Sequence, residues 1–194
     1  MASKGEVIRQ RIVTAADQLF YQQGYESTSF SDIAASVGIS RGNFYYHFKS
    51  KDEILNAVIS TRLANIKVML NEWDEKLVEP EMRLHYYIDV LLRDQKKIAT
   101  HGCPIGSLCT ELAKYDHSML SDANKMFTVF RDWIITQLRL LGVKNEAEKI
   151  AMHLLARGQG IATVANAFGD KPFLEQEVIQ LKQWLDDEIL GVSQ

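Results

Sequence analysis

Apolar side chains return every three or four residues along nearly the whole chain, and hardly anywhere in strict alternation. Ile8, Ile12, Ala15, Ala16, Leu19 and Phe20 form the first such stripe, and Gly24 stands where it stops. A helix face repeats at that interval, whereas a half-buried strand repeats every second residue. The spacing predicts a first helix over about residues 5–23, and the punctuation predicts those that follow. Ser29 with Asp32 three residues on is a capping-box variant, which opens a short helix ending near Gly38. Ser40 opens another over about 41–47, and Ser50 with Glu53 opens a long one from 51 into the mid-70s. Pro80 starts a helix reaching about Ile98, and Pro104 one ending near Tyr115. A further helix runs over about 118–141. Asn145 with Glu148, again a capping-box variant, opens one to about Phe168, where Gly169 stops it. Pro172 opens the last, to about Leu190. The expected fold is all-α, with nine helices and no strand. Short helices give way to long ones near Ser50, which divides the chain into a domain of residues 1–50 and another of residues 51–194.

One stretch breaks the ordinary pattern. Gly38 to Lys51 reads GISRGNFYYHFKSK, with rings crowded between helix-start signals. Ala34 allows a second helix to come close, and Gly38 four residues later supplies the positive φ of a tight turn. Ile39 fills the corner. Phe44 points back at Ile33 and Val37, and Phe44 and Phe48, four apart, face a small core with Leu19 and Phe20. This is the internal logic of a helix-turn-helix, whose second helix enters the DNA major groove. Arg41, Gly42, Asn43, Tyr45 and His47 are left on the outward side. Arg41 offers a fork to guanine and Asn43 a bidentate pair to adenine, and Gly42 lets the helix press close. Tyr45 and His47 suit phosphates, with Tyr46 between the inner and outer faces and Ser40 at the helix start. Thr28 and Lys51 sit at helix N-termini, where backbone N–H groups also favour phosphate.

Charge agrees. The 194 residues carry a net −3, but residues 1–51 hold six Lys/Arg against four Asp/Glu, a balance of +2, and the remainder sixteen against twenty-one, a balance of −5. A basic head on an acidic body fits contact between that head and a polyanion. An apolar fraction of 46% with 24% charged residues describes a folded globular chain. Three prolines, Pro80, Pro104 and Pro172, leave room for long helices. The first residues show no apolar run of the signal-peptide kind, and no stretch approaches the roughly 18 apolar residues of a membrane span. With only Cys103 and Cys109, a disulfide framework is not expected, and the chain reads as cytoplasmic.

The run TSFSDIAASVGISRGNFYYHFKSKDEIL closely resembles the N-terminal signature of TetR-family transcriptional regulators, over about residues 8–55. That resemblance implies a three-helix DNA-binding head, a helical ligand-binding body and a homodimer whose last two helices form a four-helix interface. It implies a repressor released from a pseudo-palindromic double-stranded operator by a small-molecule inducer.

The body shows no enzyme constellation, Gly-rich phosphate loop or cofactor motif. Glu146 with Glu148, and Asp186 to Glu188, read as solvated helix faces. His85, His101, His117 and His153 lack metal-ligand spacing on any one helix, so no metal is expected. THGCPIGSLCTELA draws notice because Cys103 would precede a helix beginning at Pro104, where the dipole stabilises a thiolate. The run also resembles, more loosely, family members that respond to electrophiles. The alternative is that Cys103 and Cys109 are small buried apolar residues. A pocket would be lined from Tyr86, Tyr87, Leu91, Leu108, Phe127, Phe130 and Trp133, residues that equally suit a packed core. In MHLLARGQGIATVANAF, Ala156, Gly158 and Ala162 permit close helix packing. Together with Leu181, Trp184 and Leu185 they predict a dimer face, the alternative being an internal core helix.

Overall fold

The structure is a computed structural model in which residues 3–192 are described, Val192 by its backbone alone. It is all helix, with no strand among the described residues. Helix α1 (Lys4–Gln23) begins at a capping box of Ser3 and Glu6 that the sequence pattern did not single out. Helix α2 (Phe30–Val37) begins at the expected box: Ser29 accepts from the Asp32 N–H, and Asp32 accepts from the Ser29 N–H. It ends at Gly38, with φ 70° and ψ 38°, whose N–H donates to the Ala34 carbonyl. A β-carbon at Gly38 would meet nothing within 4 Å, so glycine is needed there for its backbone and not for room. Helix α3 (Arg41–His47) has Ser40 as its N-cap.

Helix α4 runs over Lys51–Lys76, α6 over Pro104–Lys114, α7 over Leu120–Leu140, α8 over Ala147–Phe168 and α9 over Lys171–Val192. Between α4 and α6, the helix α5 comes as three consecutive segments, Pro80–Ile88, Val90–Arg93 and Gln95–His101. Its ladder continues through the junctions, with Asp89 N–H bonded to His85, Arg93 to Asp89 and Ile98 to Asp94. Counted as one element, it brings the helices among the described residues to the nine expected. The expected cap at Asn145 is not used: Glu146 is the N-cap of α8 and makes no side-chain capping bond.

The chain divides into two compact units, residues 1–64 with 107–125, and residues 65–106 with 126–194. The unit holding the head is therefore larger than the 1–50 span read from the sequence, because a segment from far along the chain joins it. Its core includes Ile12, Ala16, Phe20, Phe44 and Phe48, all nearly inaccessible. Leu19, expected beside them, is half-buried. The second unit is built on Leu84, Ile134, Leu138, Leu154, Leu181 and Leu185. Gln137, a buried polar side chain of this unit, accepts from Arg83 at 3.0 Å and donates to Asp74 at 3.3 Å. No described buried polar side-chain atom lacks a partner.

Candidate nucleic-acid interface

The two faces of α3 are chemically distinct. Phe44 is 1% exposed and packs against Phe30, with ring centroids 5.2 Å apart. Tyr45 and Tyr46 are 47% and 77% exposed, and Arg41, Gly42 and Asn43 also face outward. Seven residues make barely two turns, so fixing Phe44 inward forces its neighbours out. Arg41 donates one of its five N–H groups to Ser31 Oγ at 2.9 Å, which steadies the guanidinium across α2 and α3. Ser40 spends its hydroxyl on the Asn43 N–H, so as a DNA contact it could offer only its remaining capacity. His47 is half-buried with its ring edge-on to Tyr46 at 5.2 Å. A β-carbon at Gly42 would meet nothing within 4 Å. Nothing inside the protein asks for glycine there, although glycine costs up to about 1 kcal/mol in a helix.

Two expected phosphate contacts take other roles in the structure. Thr28 is 1% exposed, and its hydroxyl donates to the Gly24 carbonyl at 2.7 Å. Its side chain holds the α1–α2 turn together and is turned away from solvent. Lys51 directs its ammonium at the Tyr25 carbonyl, 3.0 Å, and the Glu26 carbonyl, 3.4 Å, above the Tyr25 ring. An ammonium has three donors, so one remains for a phosphate.

The same turn carries residues that the sequence pattern did not flag. Glu111 accepts from the Tyr25 and Glu26 N–H groups, both at 2.9 Å. Tyr25 is 2% exposed; its hydroxyl donates to Asp52, and its ring meets His117 edge-on at 5.2 Å. Burial, and then the bond to Asp52, pushes the Tyr25 phenol well above its ordinary value, so it remains a donor. Glu111 lies 86 residues from Tyr25, and no local pattern announces such a partner. Arg11 reaches across to the Val37 carbonyl at 2.8 Å and caps α2. Arg9 lies over the Phe48 ring at 4.6 Å.

In the second unit several expected pocket residues meet. Tyr87 lies 5.5 Å from Phe130 and 6.4 Å from Trp133, ring to ring. Trp73, unmarked in the sequence, joins Trp133 to Tyr86, and Trp133 donates to Asp74. Burial, with a smaller contribution from the Cys103 thiol, pushes the Tyr87 phenol up. Cys103 Sγ accepts from the Gly106 N–H and from Gln159 Nε2, each at 3.5 Å. Leu91 and Phe127 are half-buried. Leu108 and Cys109 are buried and belong to the other unit. Both cysteines are unbridged. Glu81, His85 and Asp186 bring ligand-type atoms within 4.8 Å of one another, but His85 and Asp186 already pair at 2.6 Å.

The residues expected on a dimer face divide into buried and open sets. Ala162, Leu181 and Leu185 are no more than 1% exposed within one chain and cannot meet a partner. They lie with Leu174 and Val178 on the seam between α8 and α9. Ala156 is exposed, Gly158 and Trp184 are half-buried, and a different stripe is open. Met152, Ala156, Gly160, Val164 and Phe168 recur every fourth residue along α8, with Ile179 and Leu190 exposed on α9. β-Carbons at Gly158 and Gly160 would meet nothing within 4 Å.

Residues 12–58 match the family model described as bacterial regulatory proteins, tetR family. An uncharacterised HTH-type transcriptional regulator of Lactococcus lactis subsp. lactis is 32% identical over 179 residues, 90% of this chain and 91% of its own. The HTH-type transcriptional regulator TtgR of Pseudomonas putida is 26% identical, over 79% of this chain and 77% of its own. The crystal structure of a TetR transcriptional regulator from Legionella pneumophila shares the fold, with a TM-score of 0.81 at 24% identity, covering 94% of this chain and 97% of that one. No described helix is long and apolar enough to cross a membrane. An outward-facing α3 on a helix-turn-helix, and a relative matched over most of its length, lead to one conclusion: the chain belongs to the tetR family of bacterial regulatory proteins, whose members are transcriptional regulators and not enzymes.

Proposed function

We propose that this regulator is a cytoplasmic homodimeric repressor that leaves a pseudo-palindromic operator when a small molecule enters its second unit. The observation that carries the DNA reading is the division of α3, with Phe44 sealed inward and Arg41, Gly42, Asn43, Tyr45 and Tyr46 presented outward. Arg41 and Asn43 read base edges in this scheme, and Tyr45, Tyr46, His47 and the last donor of Lys51 hold phosphates. Ser40 serves mainly as the cap that positions them. The open stripe of α8 pairs with its copy across the dimer axis, where Gly160 and Ala156 let the backbones approach. Selection of duplexes from a random library by the full-length protein, followed by footprinting, tests this. Two protected half-sites a helical turn apart are expected; a selected pool with no shared sequence would refute it.

The inducer site is the cluster around Tyr87, Phe130 and Trp133, with Cys103 on its border. A coupling of about 1–3 kcal/mol between inducer and operator is typical of such proteins. A narrower reading makes the inducer an electrophile captured by Cys103. Cys103 is half-buried, and its sulfur accepts from two N–H groups, the Gly106 backbone and Gln159 Nε2, each at 3.5 Å. Cys109, 7% exposed, fits the role of a small apolar residue instead. N-ethylmaleimide should release the protein from the selected duplex, and Cys103→Ser should abolish that release while Cys109→Ser should not. Two inert thiols in the folded protein exclude the electrophile reading and leave the aromatic site standing.

A further inference from the structure

The turn between α1 and α2, residues 24–29, is held on both sides by groups from elsewhere in the chain. Its amides at Tyr25 and Glu26 point into the Glu111 carboxylate, and its carbonyls at the same two residues point at the Lys51 ammonium. Gly24 shows how tight the grip is: a β-carbon there would lie 2.9 Å from Glu111 Oε1, and the backbone sits at φ +90°. The glycine that merely ends α1 in a reading of the pattern is thus also the clearance for a carboxylate. Below the turn, Tyr25 is wedged between Phe20 and His117 and tied to Asp52.

We propose that Glu111 is a positioning residue for operator binding: it fixes the α1–α2 turn, and through that turn the placement of the DNA-reading pair of helices. The route is short. Ser29 closes the turn and caps α2. Phe30, the first residue of α2, contacts both Phe44 and Tyr45 of α3, at 5.2 and 5.5 Å, and Ser31 holds Arg41. α2 and α3 therefore move with the turn as one piece. A free turn would let that piece tilt, and α3 would meet the groove only after being ordered again, at a cost in affinity. Glu111 stands in the last turn of α6. This inference rests on the operator-binding reading above and deepens it by naming a residue far from the reading surface.

The test uses a duplex selected by the wild-type protein and measures anisotropy at several salt concentrations for Glu111→Ala and Glu111→Gln. Amide exchange across residues 24–29 and thermal unfolding are followed in parallel. Alanine removes the acceptor and is expected to weaken binding tenfold or more and to speed exchange at Tyr25 and Glu26. Glutamine keeps one acceptor oxygen but turns an NH2 donor towards the second amide, and is expected to bind between wild type and alanine. The slope of affinity against salt should not change, because no phosphate contact is lost. If Glu111→Ala does not fold, Glu111→Asp replaces it, a carboxylate too short to span both amides, with the same tenfold loss expected. Binding within twofold of wild type in the acceptor-removing variant overturns the proposal, as does a salt slope reduced by about one. Failure of the wild type to select any duplex would refute the operator-binding reading itself.

Discussion

The outer face of α3 and the outer face of α8 are both open to solvent in one chain, yet they are not equally readable. On α3 the inward and outward side chains differ in kind: Phe44 and Phe48 are buried, and Arg41 and Asn43 are exposed. On α8 the inward seam and the open stripe are both made of apolar residues. Leu154, Ile161 and Ala165 go inward, while Met152, Val164 and Phe168 go outward. Periodicity marks an apolar stripe, but it does not say whether the same chain or a second copy covers it. For this reason the pattern places Ala162, Leu181 and Leu185 on a dimer face, although they pack within the protomer. The outward stripe is betrayed by exposure of large apolar groups, which a monomer rarely gathers on one line.

Breaking this comparison gives the largest effect. Val164→Arg places a charge on the open stripe of α8, where Val164 is 38% exposed. Sedimentation at micromolar concentration should shift from two chains to one, and operator affinity should fall by about a hundredfold or more as one half-site is lost. Unfolding should hardly change, since a surface substitution moves stability by about 0.5 kcal/mol or less in a monomer. Leu181→Ala, on the inner seam, should do the reverse. It should cost about 2–5 kcal/mol of stability while leaving the surviving folded protein's assembly intact. If both variants dissociate the protein, the two faces are not separate.

What the sequence made legible follows the same division. Element types and most boundaries could be read because Pro80, Pro104, Ser29, Gly38 and Gly169 act locally, through φ or through one capping bond. The helix-turn-helix was legible for the same reason: its turn, its corner residue and its exposed ends lie within about 20 residues. The rest of the head was not. Thr28 has the residue type and helix-start position of a phosphate ligand, yet its hydroxyl is claimed by Gly24 four residues back. Glu111 and His117 reach the head from a segment some 90 residues on, and an isolated glutamate in an amphipathic helix carries no local sign of that. The aromatic cluster was half-legible, since Tyr87, Phe130 and Trp133 do meet, while Trp73 and Asp74 complete it from α4.

Within the reading surface, the comparison sharpens between residues that specify and residues that hold. Asn43→Ala should cost about 1–3 kcal/mol at its cognate base and relax the preference there, seen as a broader pool in repeated selection. Lys51→Ala should weaken all duplexes alike and reduce the salt slope by about one if its third donor meets a phosphate. An unchanged slope would assign Lys51 wholly to the turn, where Tyr25 and Glu26 already take its ammonium.

A smaller effect separates folding from function at one atom. Gly42→Ala adds a methyl group where nothing lies within 4 Å, so the isolated protein should gain up to about 1 kcal/mol of stability. The same methyl would stand between α3 and the groove floor, so affinity for the selected duplex should fall. A variant both more stable and weaker in DNA binding locates the glycine's purpose outside the folded chain. A variant that binds as well as wild type removes close approach from the account.

The smallest effect concerns the cap that starts α2. Hydrogen bonds from Ser29, side chain and backbone, hold the Asp32 carboxyl below its ordinary value of 3.8. A carboxylate with a depressed value stabilises the fold above the unfolded value, and that contribution disappears as pH falls through the lower folded one. Asp32 is fully exposed, so the effect should be confined to strongly acid pH and to α2 itself. Amide exchange at Ser29 and Asp32 should accelerate below pH 3.8 before the buried amides around Ile12 and Phe44 respond. Ser29→Ala removes the hydroxyl but keeps the backbone N–H donor, so it should bring the Asp32 carboxyl only part of the way back towards its ordinary value and weaken the early phase. If exchange at Ser29 instead rises together with the core, α2 opens only with the whole head, and the capping box is not an independent step. That outcome would also strengthen the case that the α1–α2 turn and α2 move as one body, which is the coupling Glu111 needs.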